Sequence, residues 1–308
     1  MSGPDDAVEF LRLASEADSF NRQEGIEDLK FRFGDQWPVQ IQNSRQLEAR
    51  PMFTVNETDA YCRQVINSIR QQRPRGRCHP VNDTADVKIA EVITGIGRHI
   101  EVNSDADNAY DLAAEFAVSC GWGYWRLVTD YTREDSFDQD IYIRQIENPF
   151  SVYIDPNSQL PDGSDAEKYL ITDLIPKSEF RRLYPDAEEQ PFREGASGDM
   201  RTQDWLTRED IRIAEYFRIE REKRKLVMLS DGTPFWDDEM PPAEILAQAE
   251  VVVVGDRESW RKKVLWSKVS AFEELEHKVI PGRWIPVVPV YGVNMMVDGK
   301  RRKFGMVR

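Results

Sequence analysis

Residues 121–131 read Gly121-Trp-Gly-Tyr-Trp-Arg-Leu-Val-Thr-Asp-Tyr131 and carry two glycines, two tryptophans and two tyrosines. From Trp125 onward, the larger side chains fall on alternate residues, namely Trp125, Leu127, Thr129 and Tyr131. Alternation with a period of two predicts a strand with one buried face. The glycines let the backbone turn sharply out of whatever precedes the strand. The stretch has no catalytic group, so it favours a structural role.

The 120 residues before this stretch show helical periodicity. Residues Asp5–Phe33 predict one helix, or two helices divided at Gly25, because Phe10, Leu13, Ala14, Ala17, Ile26, Leu29 and Phe33 repeat at helical spacing. Further helices are predicted around Cys62–Ile69, ending near Arg73-Pro74, and around Ile89–Ile100, capped by Thr84. The segment Ala106–Cys120 predicts a fourth helix, whose small residues imply close packing against a neighbour.

The residues after Tyr131 have β character. A hairpin is predicted between Trp125–Tyr131 and Ile141–Ile146, and further strands are predicted after it. Residues 185–207 predict a mobile surface loop and 242–249 a short helix. Ile285–Tyr291 contains Pro286 and Pro289, which restrict it to a sheet edge or an irregular path. The further predicted strands are Val152–Asp155, Tyr169–Ile175, Ile211–Ile219, Lys225–Leu229, Val251–Val254 and Trp260–Val269.

The fold class predicted from this order is α+β, with N-terminal helices packed on a mainly antiparallel β region. The chain has 308 residues, a net charge of −14 and a mean hydropathy of −0.60. It lacks a run of ~20 apolar residues and a signal peptide, so we expect a cytosolic protein without a membrane partner. Three cysteines without close pairing fit a reducing compartment.

The chain shows no pattern that predicts catalysis, a cofactor or a metal. His79, His99 and His277 lie far apart, and Cys78-His79 supplies two ligands where structural zinc usually has four. P-loop, dinucleotide-binding and nucleophile-elbow motifs are missing. The acidic clusters at 105–111 and 135–140 lack the spacing of a calcium loop, and Glu276-His-Lys278 matches a nuclease tripeptide that arises often by chance.

Two short basic groups are the candidate binding residues. One comprises Arg73, Arg75 and Arg77, and the other comprises Lys300, Arg301, Arg302 and Lys303. One interpretation is a solvated or subunit-contacting face, and the other is a phosphate-facing patch on an acidic protein. The high net negative charge argues against tight, conventional DNA binding.

Several segments, in order, resemble the portal (head–tail connector) proteins of tailed double-stranded DNA bacteriophages, especially the short-tailed podovirus type. The signature residues are Gly121, Trp122, Gly123 and Trp125 in the first stretch and Pro286, Pro289, Tyr291 and Gly292 in the second. The other segments are Arg50-Pro51 with Gln71–Pro74, Asn148–Pro156 with Asp162–Ala166, and Ala214–Phe217.

The resemblance implies a homo-oligomeric ring, usually a dodecamer, at one capsid vertex of the virion, assembled in the host cytoplasm. Its implied partners are itself, the terminase, capsid and scaffolding proteins, tail adaptor proteins, and double-stranded DNA that passes without sequence specificity. It implies no enzyme activity and no cofactor.

The chain matches only the N-terminal wing part of such proteins; the stem, clip and crown are absent from it. Residues 1–120 would be the helical part of the wing, 121–304 its α+β domain, and 305–308 the start of a truncated stem helix. The chain is then either a fragment or a shortened form. The alternatives are a metal-dependent nucleic-acid enzyme of a phage or mobile element, and another virion adaptor protein.

Overall fold

The computed structural model describes residues 3–73, 75–81, 86–187, 210–242, 245–246 and 251–308. The chain forms two compact units. We call Val8–Thr172 with Pro286–Arg308 the helical unit, and Met1–Ala7 with Asp173–Ile285 the sheet unit. The predicted division at residues 120 and 121 stays a prediction. So does the stem helix at 305–308, since four residues are too few to close a helical turn of their own.

Helix α1 spans Gly3–Arg32 without interruption, which confirms the one-helix alternative and excludes a break at Gly25. Its predicted apolar face is also wrong in part, because Leu13, Ile26 and Phe33 are exposed. Within the helical unit the buried side of α1 repeats every three or four residues, in the manner of a heptad seam. The buried residues on this seam are Leu11, Ala14, Asn21, Gly25, Asp28 and Arg32.

Four more helices follow in the helical unit. Helices α3 (Thr58–Gln71), α4 (Val87–Asn103) and α5 (Ala106–Ser119) confirm the predicted ones. Helix α2 (Val39–Leu47) was not predicted, because it has no buried residue and hence no periodic apolar face. The predicted cap at Thr84 is wrong, because the cap of α4 is Asp86, whose carboxylate accepts a hydrogen bond from the Lys88 N–H. Pro74, Thr84, most of 185–207 and most of 242–249 lie outside the described residues.

A three-stranded antiparallel sheet lies beside α5. It has the order β2-β1-β9, with β1 at Trp122–Tyr131, β2 at Gln139–Gln145 and β9 at Val287–Tyr291. The hairpin is confirmed, and β9 lies at the edge, as its prolines require. The predicted buried face is wrong beyond Trp125, since Leu127 and Tyr131 are exposed and burial is concentrated at Trp122–Tyr124.

The rest of the helical unit is short extended structure. A 3₁₀ turn at Pro149–Ser151 leads into β3 (Val152–Ile154), which pairs with β4 (Lys168–Pro176). Strands β10 (Val293–Val297) and β11 (Lys300–Phe304) form a hairpin through Asp298-Gly299. Both segments lie close to α1 through polar contacts described below.

The sheet unit contains α6 (Lys177–Leu183) and strands β5 (Asp210–Leu229), β6 (Pro234–Trp236), β7 (Val253–Val269) and β8 (Glu274–Ile280). The end of β4, Asp173–Pro176, also belongs to this unit. Strands β4, β5, β7 and β8 are neighbours in that order, and β6 pairs with β5. Two pairs of predicted strands are single long strands, β5 and β7. Their polar middle segments suggested breaks, but these segments form a continuous ladder with cross-strand ion pairs such as Glu222–Lys263.

The α+β class is therefore confirmed, with helices and antiparallel sheets in one chain. In the part of the chain that the structure describes, no helix is both long and apolar enough to cross a bilayer.

Candidate functional site

The structure brings all eight signature residues into one strand pair or directly beside its ends. Strands β1 and β9 run antiparallel, with Trp122 opposite Tyr291 and Tyr124 opposite Pro289. The Gly292 N–H donates to the Gly121 carbonyl at 2.9 Å, and the Leu127 N–H donates to the Pro286 carbonyl at 2.9 Å. The two signature stretches, about 165 residues apart in the chain, are thus the two sides of one ladder.

Glycines make this junction possible because the backbones of helix and strands approach without side chains between them. A Cβ on Gly123 would lie 2.7 Å from Cα of Ala113 in α5, and one on Gly292 would overlap the Ala117 carbonyl. Gly121 has φ +104°, and a Cβ there would lie 2.6 Å from the backbone of Phe304. We call these three glycines, with the backbone that each contacts (α5 for Gly123 and Gly292, Phe304 for Gly121), the glycine seam. The prediction that α5 packs closely is confirmed, since Ala109, Ala113 and Ala117 are buried.

Large aromatic rings close the seam on both sides of β1. Trp125 makes an edge-to-face contact with Tyr110 of α5, with ring centroids 5.2 Å apart. Trp122 is fully buried, makes an edge-to-face contact with Phe150 and fills the space above Gly25, where a Cβ would lie 2.7 Å from the indole. This explains why α1 contains a glycine without breaking: the residue makes room for Trp122.

Lys303 is a member of the second basic group, and the structure places it inside the helical unit. Lys303 is 6% exposed. Its Nζ lies 3.1 Å from a carboxylate oxygen of Asp18 and over the rings of Trp122 and Tyr291. Burial lowers the pKa of Lys303, although Asp18 opposes that shift. The predicted phosphate-facing or subunit-contact role is therefore wrong for Lys303, whose position is that of a buried ion pair.

The other basic residues are distributed differently. Arg73 forms ion pairs with Asp107 and Asp111, whereas Arg75 and Arg77 are exposed. In β11, Lys300 is exposed, and the guanidinium of Arg302 lies 3.8 Å from the ring centroid of Phe20. Arg301 is half-buried, and its carbonyl accepts a hydrogen bond from Asn21. Their proposed contact with phosphate or with a second subunit stays a prediction.

Two arginines of α1 organise the helical unit, and neither was singled out from the sequence. Arg22 donates to the carbonyls of Phe150 and Val152, both at 2.5 Å, and so holds the turn before β3. Arg32 donates to Asp59 of α3 and to Glu115 and Ser119 of α5, at 3.0, 2.8 and 2.6 Å. For Arg32 the available signal was a charged residue on the heptad seam of α1, at a position that an apolar residue should fill.

No arrangement fitting the alternative enzyme hypothesis is found in the described residues. Glu276 accepts a hydrogen bond from Tyr184, and Lys278 Nζ lies over the Trp266 ring, so this tripeptide faces protein partners. Ser267 and Glu274 both contact Nδ1 of His277, which leaves no relay through the ring of the kind a catalytic triad uses. Across the described ranges, no cluster of three or more His, Cys, Asp or Glu has metal-binding geometry.

Comparison with known protein families decides the relationship. The family model for the Phage P22-like portal protein matches residues 8–308. The chain belongs to the P22-like phage portal protein family. A curated relative, the "Portal protein" of Acyrthosiphon pisum secondary endosymbiont phage 1, is 26% identical over 274 residues, which is 85% of this chain and 38% of the relative. The chain therefore spans less than half the length of this curated portal protein.

Membership of the portal family supports a structural role in a phage. Portal proteins of this family are structural and not enzymatic. The seam explains the signature physically: each glycine in the two stretches is a point where a side chain would separate two backbones.

The cysteines of this portal-family chain should differ strongly in reactivity. Burial raises the pKa of Cys120 to about 11 and also raises the pKa of Cys62, while Cys78 is exposed. Because the thiolate is the reactive form, we expect one fast and two slow thiols with a disulfide reagent at pH 8. Cys78→Ser should abolish the fast phase, and denaturant should make all three fast. A fast phase that survives Cys78→Ser would contradict this burial.

Asp28 should make the helical unit less stable as pH rises. Burial and the neighbouring charge of Glu27 raise the pKa of Asp28 from 3.8 to about 6. The guanidinium of Arg308 lies 3.6 Å from the Asp28 carboxylate, but it is half-exposed and also pairs with Glu24 and Glu27. The folded state then holds a proton more tightly than the unfolded state, so this contribution is complete below about pH 3.8 and is lost as pH rises through about 6.

Asp28→Asn mimics the protonated carboxyl. The stability of this variant minus that of the unmodified chain should therefore be larger at pH 7.5 than at pH 4. Thermal unfolding at both pH values measures this gain, and Glu16→Gln, an exposed carboxylate on the same helix, is the control. An equal difference in melting temperature at the two pH values would show that Asp28 has no raised pKa.

Proposed function

We propose that this chain is the wing part of a portal protein that forms a homo-oligomeric ring at one vertex of a phage capsid. The observation that carries the proposal is the family match over residues 8–308, nearly the whole chain. The ring would nucleate capsid assembly, dock the terminase during DNA packaging, and then dock tail adaptor proteins. Double-stranded DNA would enter and leave through its channel, and assembly would take place in the host cytoplasm.

The charge of the chain supports the role of a conduit. A protein that neutralises many phosphates holds DNA through counterion release, which would oppose sliding. This chain carries 41 basic and 55 acidic residues, a net charge of −14, so its average field repels the duplex. Of the candidate cationic residues, Lys303 and Arg73 are neutralised within the chain by their acidic partners.

The number of subunits tests the proposal. The full-length protein, purified without other phage components, is examined by native mass spectrometry and by negative-stain electron microscopy. We expect a closed ring with one dominant number of subunits. Portal proteins usually form dodecamers, so twelve is the number that we expect. A full-length protein that remains monomeric at micromolar concentration, with native circular dichroism, would overturn the proposal.

A further inference from the structure

The hairpin of β10 and β11 exposes apolar and basic side chains on one and the same face. Residues directly opposite each other in an antiparallel pair share a face, and Met295 lies opposite Arg302. Two residues further along the hairpin, and therefore on the same face, Val297 lies opposite Lys300. Met295 and Val297 are 46% and 43% exposed. We call these four residues, with Phe20 of α1 beside them, the β10–β11 patch.

Contacts with α1 hold the hairpin so that the β10–β11 patch stays in solvent. The guanidinium of Arg302 lies 3.8 Å from the ring centroid of Phe20, which is itself 50% exposed. The next residue, Lys303, belongs to the other face by alternation and is buried against Asp18. Its backbone N–H donates to the Asn21 side chain at 3.3 Å. One face of the hairpin is thus used within the chain, and the other is available to a partner.

The chemistry of the β10–β11 patch restricts that partner. In the part of the chain that the structure describes, Lys300 and Arg302 form no ion pair, whereas Lys303 beside them pairs with Asp18. A phosphate backbone would neutralise the two cations, but it would leave the apolar side chains of Met295 and Val297 uncovered. A protein surface that is apolar at its centre and acidic around it satisfies both kinds of side chain. The interleaving therefore favours a subunit contact over a phosphate contact for this basic group.

The chain itself carries such a surface at the tip of the β1–β2 hairpin. Phe137 is 97% exposed, and residues 133–140 contain four carboxylates and one arginine, a net charge of −3. The tip has a defined conformation, because the Thr132 N–H donates to the Asp138 carbonyl at 2.9 Å and the Ser136 N–H donates to the Arg133 carbonyl at 3.1 Å. We call residues 133–138 the Phe137 tip. With so much of its ring exposed, Phe137 does not cover the β10–β11 patch of its own chain.

Strand β1 separates the two surfaces within the helical unit. The Phe137 tip follows the Tyr131 end of β1. The β10–β11 hairpin lies beside the other end, since Lys303 Nζ lies over the ring of Trp122. Trp122 and Tyr131 are nine residues apart, which is about 30 Å along a strand. Each subunit of a head-to-tail ring needs two different contact surfaces that face different neighbours, and two complementary surfaces at the two ends of β1 meet that need.

We propose that the Phe137 tip of one copy of this chain binds the β10–β11 patch of the next copy. Phe137 would pack on Met295 and Val297, and the carboxylates of the tip would pair with Lys300 and Arg302. Because the two surfaces differ, the contact is head-to-tail, and it produces a ring when its rotation closes. The inference rests on the proposed ring and adds to it the two surfaces that join neighbouring subunits.

Cysteine cross-linking of the full-length protein tests the contact. In a Cys78→Ser background, where Cys62 and Cys120 are buried, Met295→Cys and Phe137→Cys are prepared separately and together. We expect no cross-link in either single variant, a dimer when the two single variants are co-assembled, and a ladder up to the full ring in the double variant. Val279→Cys with Phe137→Cys uses an exposed apolar position on β8 as the control and should give no ladder.

Reciprocal charge reversal tests the pairing without a cross-link. Lys300→Glu with Arg302→Glu should slow ring formation roughly tenfold, and so should Glu134→Lys with Asp138→Lys, because like charges then face each other across the contact. All four substitutions in one chain should restore ring formation. The control reverses two exposed cations of β7 (Arg257→Glu with Lys262→Glu) and should leave ring formation unchanged. Circular dichroism of each variant shows that the monomer is folded.

Different outcomes separate the two proposals. If the unmodified protein forms no ring, the proposed function fails. If rings form but the Met295→Cys and Phe137→Cys double variant gives no ladder, or the four-residue charge swap does not restore assembly, the present inference is wrong. Reversal of Lys300 and Arg302 that leaves assembly intact but abolishes binding of a short DNA duplex to the ring would show that the patch faces phosphate, and it would also overturn the inference.

Discussion

Replacement of Gly121 by alanine is expected to be among the most destabilising single changes in the helical unit. Two effects add at this position. A φ of +104° costs an L-residue about 1–3 kcal/mol, and the new Cβ would lie 2.6 Å from the backbone of Phe304, an overlap that costs about 1–3 kcal/mol more.

Gly34 provides a matched control, because its φ is +103° and no atom lies within 4 Å of an added Cβ. The difference in unfolding free energy between Gly121→Ala and Gly34→Ala, measured by denaturant titration, isolates the contact with Phe304. We expect Gly121→Ala to be the less stable by about 1–3 kcal/mol. Equal losses in the two variants would mean that the backbones at the glycine seam do not touch.

Gly123 tests the same seam without a contribution from backbone strain. A Cβ there would lie 2.7 Å from Cα of Ala113, so helix α5 must move away from β1. The control is Gly255→Ala in strand β7, where the space is open and alanine is expected to be neutral or stabilising by about 0.5 kcal/mol. A Gly123→Ala variant as stable as the Gly255→Ala variant would contradict direct helix–strand contact.

Arg32→Met is the second change expected to have a large effect. The Arg32 side chain is 4% exposed and is shared by three groups on α3 and α5. Its removal leaves the Glu115 carboxylate without its cation, while Asp59 keeps only Arg63. Removal of one partner from a buried ion pair costs about 3–5 kcal/mol, and because both carboxylates are partly exposed we expect about 3 kcal/mol.

The comparison for this change is Arg12→Met on the same helix. Arg12 pairs with Glu16 on the surface, where an ion pair contributes at most about 0.5 kcal/mol. Arg32→Lys should give an intermediate loss, because lysine keeps the charge but cannot bond three acceptors with a planar fork. Urea unfolding of the three variants measures the series. Similar stability of Arg32→Met and Arg12→Met would show that Arg32 does not join α1 to α3 and α5.

Much of the fold was predictable because the relevant signals are local. Helical spacing of Ile and Val located α3 and α4, the Gly-aromatic stretch located β1, and Pro286 and Pro289 placed β9 at a sheet edge. The small residues of α5 indicated close packing, and the glycine seam confirms it. The eight signature residues were predicted from a resemblance, and the structure supplies what the resemblance lacked, the pairing of β1 with β9.

The errors share a physical cause: burial depends on partners that a local pattern does not contain. Lys303 was predicted on a solvated, subunit-contacting or phosphate-facing patch, and Asp28 and Arg32 were not singled out, but contacts distant in sequence bury all three. The spacing of the α4 residues located the helix but not its environment, since Ile89, Ile93 and Ile96 face solvent. In β5, the charged segment around Glu222 resembled a break because its cross-strand cations come from β7.

The most direct measurement of the central claim is the position of this protein in the assembled phage particle. Particles that carry an affinity tag fused to the full-length protein are imaged by electron microscopy with a tag-specific gold label. A portal-family protein in a vertex ring predicts label at a single vertex of each capsid, on the axis of the tail. Label on many vertices, along the tail, or missing from intact particles would contradict the account.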